Sequence, residues 1–308
     1  MDRPHILHLL TPGRQASPFD VNMAADAGYQ IITPYTDVAL EQVTALTQDA
    51  IFSRGPKGVA RTGIFVGGRD ALLAADMLER ARAAMFKPFV VSLMADPSGA
   101  YTTAAAMVAC VEAALQRHHG AALSGQQVLV LGGTGPVGRI AAVLAAQAGA
   151  TVRIASHSGP APAQKAAADT GARFGVDLQG VSGADRAALR DALSQASVVL
   201  ACAAAGVQVV SAEDLGFAKA LKVAADVNAV APEGIAGVGV MDDAKPLAGV
   251  PGAVGIGALA VGNVKYQTQH RLLVAMREAE KAVVLSFAEA FAAARAFLVE
   301  QAAAKPAG

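Results

Sequence analysis

The chain has 308 residues, enough for two domains of ordinary size. Its 25 basic and 25 acidic residues cancel and charged residues are only 16% of the total, so no basic surface argues for nucleic acid. The mean hydropathy of +0.41 comes mostly from alanine and glycine, and most long apolar runs are interrupted, so no stretch of about 20 residues reads as a convincing membrane span.

Ile6–Leu10 reads as a first strand, in a start that lacks the long apolar core and cleavage site of a signal peptide. Ser17-Pro18-Phe19-Asp20 opens a helix over 21–27 that stops at Gly28. A strand at 30–35, a helix at 37–47 and a short strand at 50–53 follow. Next come a strand from Gly63, a helix over 70–85, and a strand over 88–94 that ends in the turn Asp96-Pro97-Ser98-Gly99. The β–α alternation predicts a parallel sheet with helices on its faces. A long Ala-rich helix over 101–116 is expected to bridge two domains, closing at His118-His119-Gly120. Adjacent histidines leave a helix on different sides, and no acid or cysteine stands near this pair, so it reads as a helix end and no metal is expected.

Strands are then expected at 127–131, 151–155, 172–176, 197–201 and 221–225, with helices over 139–146, 162–169, 184–193 and 212–215. Gly252–Gly262 reads as a Gly-rich crossing back toward the first domain, and one helix is expected from about 265 to 301, with 302–308 frayed. Cys110 and Cys202, the two cysteines, sit in Ala-rich surroundings and read as buried structural thiols, in keeping with a reducing, cytoplasmic compartment.

The chemistry-bearing stretch is Gln127-Val-Leu-Val-Leu-Gly-Gly-Thr-Gly-Pro-Val-Gly138. Gly133, Gly135 and Gly138 form G-x-G-x-x-G between a strand and a helix, the context a dinucleotide fingerprint requires. Gly133 is expected to turn the strand, Gly135 to let a pyrophosphate approach the backbone, and Gly138 to let the helix pack close. The helix N-terminus supplies N–H groups for the phosphates, and Thr134, Pro136 and Val137 fall on the pyrophosphate by position. The second strand ends in Ser156-His157-Ser158 without an acid. An acid there would bind a ribose 2′-hydroxyl and repel a 2′-phosphate. Its absence suggests NADP, or use of both NADP and NAD; the alternative is an ordinary turn with an exposed histidine. Ala203, after the fourth strand of this unit, is expected to pass along the cofactor's adenosine–nicotinamide ribose, and Asn228 follows the fifth. Asn228 is expected near the nicotinamide end, or else in an Asx turn.

Several segments together resemble one family: Ser17-Pro18-Phe19-Asp20-Val21-Asn22-Met23-Ala24-Ala25-Asp26-Ala27-Gly28, Ile64-Phe65-Val66-Gly67-Gly68, Asp96 with Ser98-Gly99, Thr102-Thr103-Ala104-Ala105-Ala106, the Gly133–Gly138 turn, Ala225-Asp226-Val227-Asn228-Ala229, and Gly255-Ile256-Gly257. In this order they resemble the bacterial NAD(P)-dependent methylene-tetrahydromethanopterin dehydrogenases of methylotrophs, which are related to a methylene-tetrahydrofolate counterpart. The resemblance implies hydride transfer from the methylene bridge of a reduced one-carbon-carrying pterin to NAD(P)+ during formaldehyde oxidation. It implies an α/β fold of two domains, with an N-terminal α/β substrate domain (1–110) like that of amino-acid and folate dehydrogenases. A Rossmann domain (124–258) follows, and a C-terminal helix packs back on the first domain. It also implies a homo-oligomer, a trimer in the folate relative. The strictly NADP-using folate relative carries arginine where His157 stands here, which favours use of both cofactors.

Within that reading, Asp20 is a candidate for hydrogen bonds to pterin amide or amine groups, or else a helix cap. Asp96, Ser98, Tyr101, Thr102 and Thr103 lie past a strand's carboxyl end, where α/β folds collect ligands, or else they serve turn and cap chemistry. Lys265 is the catalytic candidate, hydrogen-bonding a pterin nitrogen or carbonyl, or else a solvated lysine at a helix start. His270 either touches the substrate's acidic tail or is structural. The alternatives are a methylene-tetrahydrofolate dehydrogenase, a shikimate- or quinone-type reductase whose Lys–Asp or Tyr–Lys pair is not assignable here, and a non-catalytic NADP(H)-binding redox sensor.

Overall fold

The computed structural model describes residues 3–304. The first elements are β1 (Ile6–Leu10), α1 (Pro18–Asp26), β2 (Ile31–Tyr35), α2 (Val43–Phe52), the single turn α3 (Pro56–Val59), β3 (Thr62–Val66), α4 (Ala71–Ala83), β4 (Ser92–Ala95) and α5 (Ala100–His119). They are followed by β5 (Gln127–Leu131), α6 (Pro136–Gln147), β6 (Thr151–Ser156), α7 (Pro160–Phe174), β7 (Gln179–Ser182), α8 (Arg186–Ser194), β8 (Val198–Ala201), α9 (Ala212–Leu215), β9 (Val223–Asp226), β10 (Lys245–Pro246) and β11 (Val254–Ile256). The last are α10 (Ala258–Glu278), β12 (Val284–Leu285) and α11 (Phe287–Ala304).

Two compact units divide the chain, Met1–Thr102 with Tyr266–Ala293, and Thr103–Lys265 with Ala294–Gly308. The first is built on a five-stranded parallel sheet in the order β12-β4-β3-β1-β2. All five residues of β3 are buried, as expected of a central parallel strand covered on both faces. The strand order reverses between β1 and β3, so the loops at their carboxyl ends splay apart and leave a crevice.

The second unit carries a seven-stranded sheet in the order β10-β11-β9-β8-β5-β6-β7. Its six strands from β11 to β7 are parallel, in the doubly wound 3-2-1-4-5-6 arrangement, and β10 pairs antiparallel at the edge. Here the order reverses between β5 and β8. Val128, Leu129 and Val130 of β5 are buried against a helix α6 whose Ile140, Ala141, Ala142 and Val143 are equally buried.

The structure corrects several sequence expectations. Residues 50–53 are not a strand: Val43, Thr47, Ala50 and Ile51 form one buried stripe at helical spacing along α2. That helix starts late because Asp37 adopts a left-handed φ of 53°, and a 3-10 turn over Leu40–Gln42 precedes it. The strand expected over 88–94 shrinks to β4, because 86–89 form a turn closed by a Phe86–Phe89 bridge. The strand expected at 172–176 is the end of α7, which stops at Gly175 with φ 68°, and the sheet is joined instead by β7. The Gly-rich 252–262 run holds β11 and the first turn of α10. The single helix expected over 265–301 is two helices, because Val284 and Leu285 pair with Leu93 and Met94 at the edge of the first sheet. Ser286 and Glu289 then open α11, with both the Ser286 N–H and its hydroxyl donating to the carboxylate. That helix holds through Ala304, where fraying from 302 was expected, and 305–308 lie outside the described residues. One helical stretch, Pro97–His119, has the length and apolarity of a membrane span, yet 78% of its most apolar window is buried inside the protein, as in a core helix.

His8 on β1 lies with Nδ1 3.0 Å from the Tyr35 hydroxyl. Burial, followed by the Arg54 charge, lowers the pKa of His8; burial, followed by Arg61, Arg277 and Arg54, lowers that of His5. A depressed folded-state pKa adds stability that is complete above the ordinary imidazole value of about 6.5 and is lost as pH falls through it. Urea midpoints of the first unit's transition should therefore fall between about pH 7.5 and about pH 5.5, and a His5→Gln, His8→Gln double variant should flatten that dependence.

Candidate functional site

Steric facts fix the turn between β5 and α6. Gly132, not Gly133, takes the left-handed conformation that reverses the strand, with φ +71°, so the expectation for Gly133 is corrected. A Cβ on Gly132 would meet the backbone of Cys202 and Ala203 at 2.6–2.7 Å, which puts Ala203 against the turn at the β5/β8 reversal. A Cβ on Gly133 would lie 2.5 Å from Ile154 on β6, and one on Gly138 would lie 2.6 Å from the Gly132 carbonyl oxygen. Gly135 differs: its Cβ would meet only the Gly132 oxygen, at 3.4 Å. It is the N-cap of α6, with no side-chain cap bond, and Pro136 follows in the first turn. Thr134, Gly135, Pro136 and Val137 are half-buried. The turn is packed shut on its sheet side and open above Gly135, the shape a phosphate needs.

Arg139, unremarked in the sequence, braces this turn. Its Nε donates to the Thr134 carbonyl at 3.0 Å, and its Nη1 donates to the Thr170 hydroxyl at 2.8 Å and to the Ala166 carbonyl at 3.3 Å. A cation in the first turn of a helix opposes the helix dipole, and that was the available signal.

At the end of β6 the hydroxyl of buried Ser156 accepts the Ser158 N–H at 3.1 Å, while His157 and Ser158 are exposed. Asn228, beyond β9, is 5% exposed, and both ends of its amide are hydrogen-bonded within the protein. Its Oδ1 accepts the Gly206 and Val230 N–H groups and its Nδ2 donates to the Pro232 carbonyl. The structure thus gives Asn228 the Asx-turn role. Asp226 supports the same loop by accepting the Asn228 and Ile235 N–H groups, and burial pushes its carboxyl pKa up. Burial also pushes the Cys110 and Cys202 thiols up to about 12. Among the described residues no group of three or more His, Cys, Asp or Glu is placed to hold a metal.

In the first unit, a pocket of about 870 Å³ opens at the β1/β3 reversal. Asp20 and Ser98 line it, together with Thr11, Arg14, Gln15 and Arg69, which sequence spacing did not collect. Asp20 is only 4% exposed; it sits inside α1 and accepts the Gln269 Nε2–H at 2.8 Å, so it is not a helix cap. Ser98 holds a left-handed φ of 51° and donates to the Gly68 carbonyl at 2.8 Å.

Asp96, Tyr101, Thr102 and His270 are not among its lining residues. Asp96 is fully buried and accepts the Tyr101 and Thr102 N–H groups and, at 2.6 Å, the Thr102 hydroxyl. Tyr101 is 1% exposed and donates its hydroxyl to the Ala71 carbonyl at 2.6 Å. The capping alternative therefore describes Asp96 and Thr102, and Tyr101 is a core residue. Thr103 is half-buried on α5. Lys265 is half-buried two turns into α10, not a solvated lysine at a helix start. His270 lies with Nε2 3.5 Å from the Asp26 carbonyl, at the end of α1.

A family model described as methylene-tetrahydromethanopterin dehydrogenase, N-terminal, matches residues 18–98. The chain is 49% identical over 286 residues, 93% of its length and 96% of the relative's, to the NAD(P)-dependent methylenetetrahydromethanopterin dehydrogenase of Methylorubrum extorquens. The chain belongs to this family. As a member it is an NAD(P)-dependent oxidoreductase. Among solved structures it resembles in fold the ligand-free 5-ketofructose reductase of a Gluconobacter species, with a TM-score of 0.51, 16% identity and coverage of 96% and 99% of the two chains. Shikimate 5-dehydrogenase from Listeria monocytogenes gives a TM-score of 0.50 at 11% identity, covering 91% and 93%.

The open face above Gly135 fits this family's dinucleotide cofactor. Gly135→Ala should raise the NADP+ dissociation constant about tenfold or more while shifting the melting temperature by less than about 2 °C. Gly138→Ala should lower both affinity and melting temperature, since its Cβ meets backbone. Fluorescence titration with thermal melts reads both.

Proposed function

We propose that the chain oxidises methylene-tetrahydromethanopterin to the methenyl form, with the pterin held by the 1–110 region and the dinucleotide by the 124–258 region. The 49% identity across nearly the whole chain carries this reading. Bound NAD(P)+ supplies the hydride acceptor. The methylene carbon lies between two nitrogens, so the positive charge left behind spreads over an N–C–N amidinium, and no proton needs to leave that carbon. The residues therefore work by positioning and by excluding water rather than by general-base chemistry.

In this proposal Asp20, held by Gln269, and Ser98 at the rim orient the pterin ring, and Lys265 hydrogen-bonds a pterin nitrogen or carbonyl. Asp96 and Thr102 act from beneath by fixing the start of α5. The Gly133–Gly138 turn, braced by Arg139, holds the pyrophosphate, with Ala203 beside it. Exposed His157 and Ser158 meet the adenosine ribose and accept either a hydroxyl or a phosphate. A homo-oligomer, which the family resemblance implies, belongs to the same proposal, as does a cytoplasmic compartment, and light scattering of the purified protein reads the assembly.

Turnover of methylene-tetrahydromethanopterin, followed at the reduced-nicotinamide absorbance, should proceed with NADP+ and with NAD+. Turnover of the folate analogue alone, or tight NADP(H) binding without any turnover, overturns the reading. His157→Arg should lower the KM for NADP+ several-fold relative to that for NAD+, by adding a permanent cation for the 2′-phosphate. Lys265→Met should lower kcat/KM for the pterin by roughly tenfold or more and leave NADP+ binding unchanged.

A further inference from the structure

The pocket at the β1/β3 reversal is lined by two arginines and two aspartates whose hydrogen-bonding capacity is used very differently. Arg14 stands on the loop after β1 and Arg69 on the loop after β3, and both line the pocket. Both are exposed, and neither guanidinium has a hydrogen-bond, ion-pair or ring partner among the described residues. The acids beside them are engaged elsewhere. Asp20 is buried and holds Gln269, and the Asp70 carboxylate accepts the Leu72 and Leu73 N–H groups as the N-cap of α4. The start of α1 adds further donors: Ser17, its N-cap, makes no side-chain cap bond and also lines the pocket. The formal charges of the lining balance, but the free donors all lie on the two guanidiniums and the uncapped helix start, and a guanidinium pairs most strongly with a carboxylate or phosphate oxygen.

We infer that Arg14 and Arg69 bind an anionic group, a carboxylate or phosphate, of the one-carbon-carrying substrate, and so set which carriers the enzyme accepts. This rests on the pterin reading above. It also assigns the acidic part of the substrate to the β1/β3 pocket, away from His270, whose imidazole lies beside the Asp26 carbonyl. The role is binding and specificity: neither arginine is needed for the hydride step itself.

The test uses an Arg14→Gln, Arg69→Gln double variant. Both side chains are unpartnered, so its melting temperature should match the parent's. The KM for methylene-tetrahydromethanopterin should rise at least tenfold, with kcat within about threefold and the KM for NADP+ unchanged. The rise of the pterin KM with added potassium chloride should also flatten, because charge contacts are screened. An unchanged pterin KM, or an equal loss in kcat and in NADP+ affinity, overturns the inference. If the parent turns over no pterin, the pterin reading fails instead. Inorganic phosphate then judges the pocket alone: with NADP+ saturating, it should raise the parent's melting temperature more than the variant's. Equal shifts mean that the arginines bind no anion.

Discussion

The second unit depends on one steric constraint, that α6 starts within van der Waals contact of the strand turn it caps. Gly132, Gly133 and Gly138 each face backbone or a buried side chain where a Cβ would intrude. Close contact there aims the first N–H groups of α6 at the space above Gly135. The same turn touches Cys202 and Ala203 after β8, so the crevice at the β5/β8 reversal has rigid walls on both sides. Arg139 extends the brace to α7. A binding surface made of main chain changes little with the side chains around it, which suits a cofactor common to many enzymes.

The first unit reaches a comparable crevice by different means. Its reversal lies between β1 and β3, and the loops there present side chains rather than a glycine-lined backbone. Asp96 holds the start of α5 from below, and Tyr101 pins that helix to the start of α4 through the Ala71 carbonyl. The groups nearest the ligand space can thus be chosen for recognition, because buried neighbours carry the structural load.

Much of this was legible in the sequence, for definable reasons. The β–α alternation and the glycine fingerprint between a strand and a helix follow from periodicity and from glycine sterics, both local. The errors came where tertiary context decides. Val284 and Leu285 are too short a run to announce a strand, and they become one only because the β4 edge offers a partner. Residues 172–176 have strand-like composition, but the signal that ends α7 is a left-handed glycine, and the strand comes after it. Asp20 and Ser98, which stand in recognisable segments, both line the first unit's pocket. Arg14 and Arg69 line the same pocket but do not stand out in the sequence, because exposed loop cations carry no pattern. The burial of Tyr101 and Asn228 was not legible, because burial of a polar residue cannot be seen in a linear sequence.

The placement of β12 and α10 bears on how the chain is made. The first unit is discontinuous: its edge strand, and the Gln269 that holds Asp20, lie more than 160 residues beyond β4. A ribosome working from the amino end releases nearly all of the second unit before that strand exists. Until then β4 is an exposed edge, open to pairing with other chains. The second unit can therefore settle during synthesis, whereas the first is finished last, when the chain returns to close its own sheet.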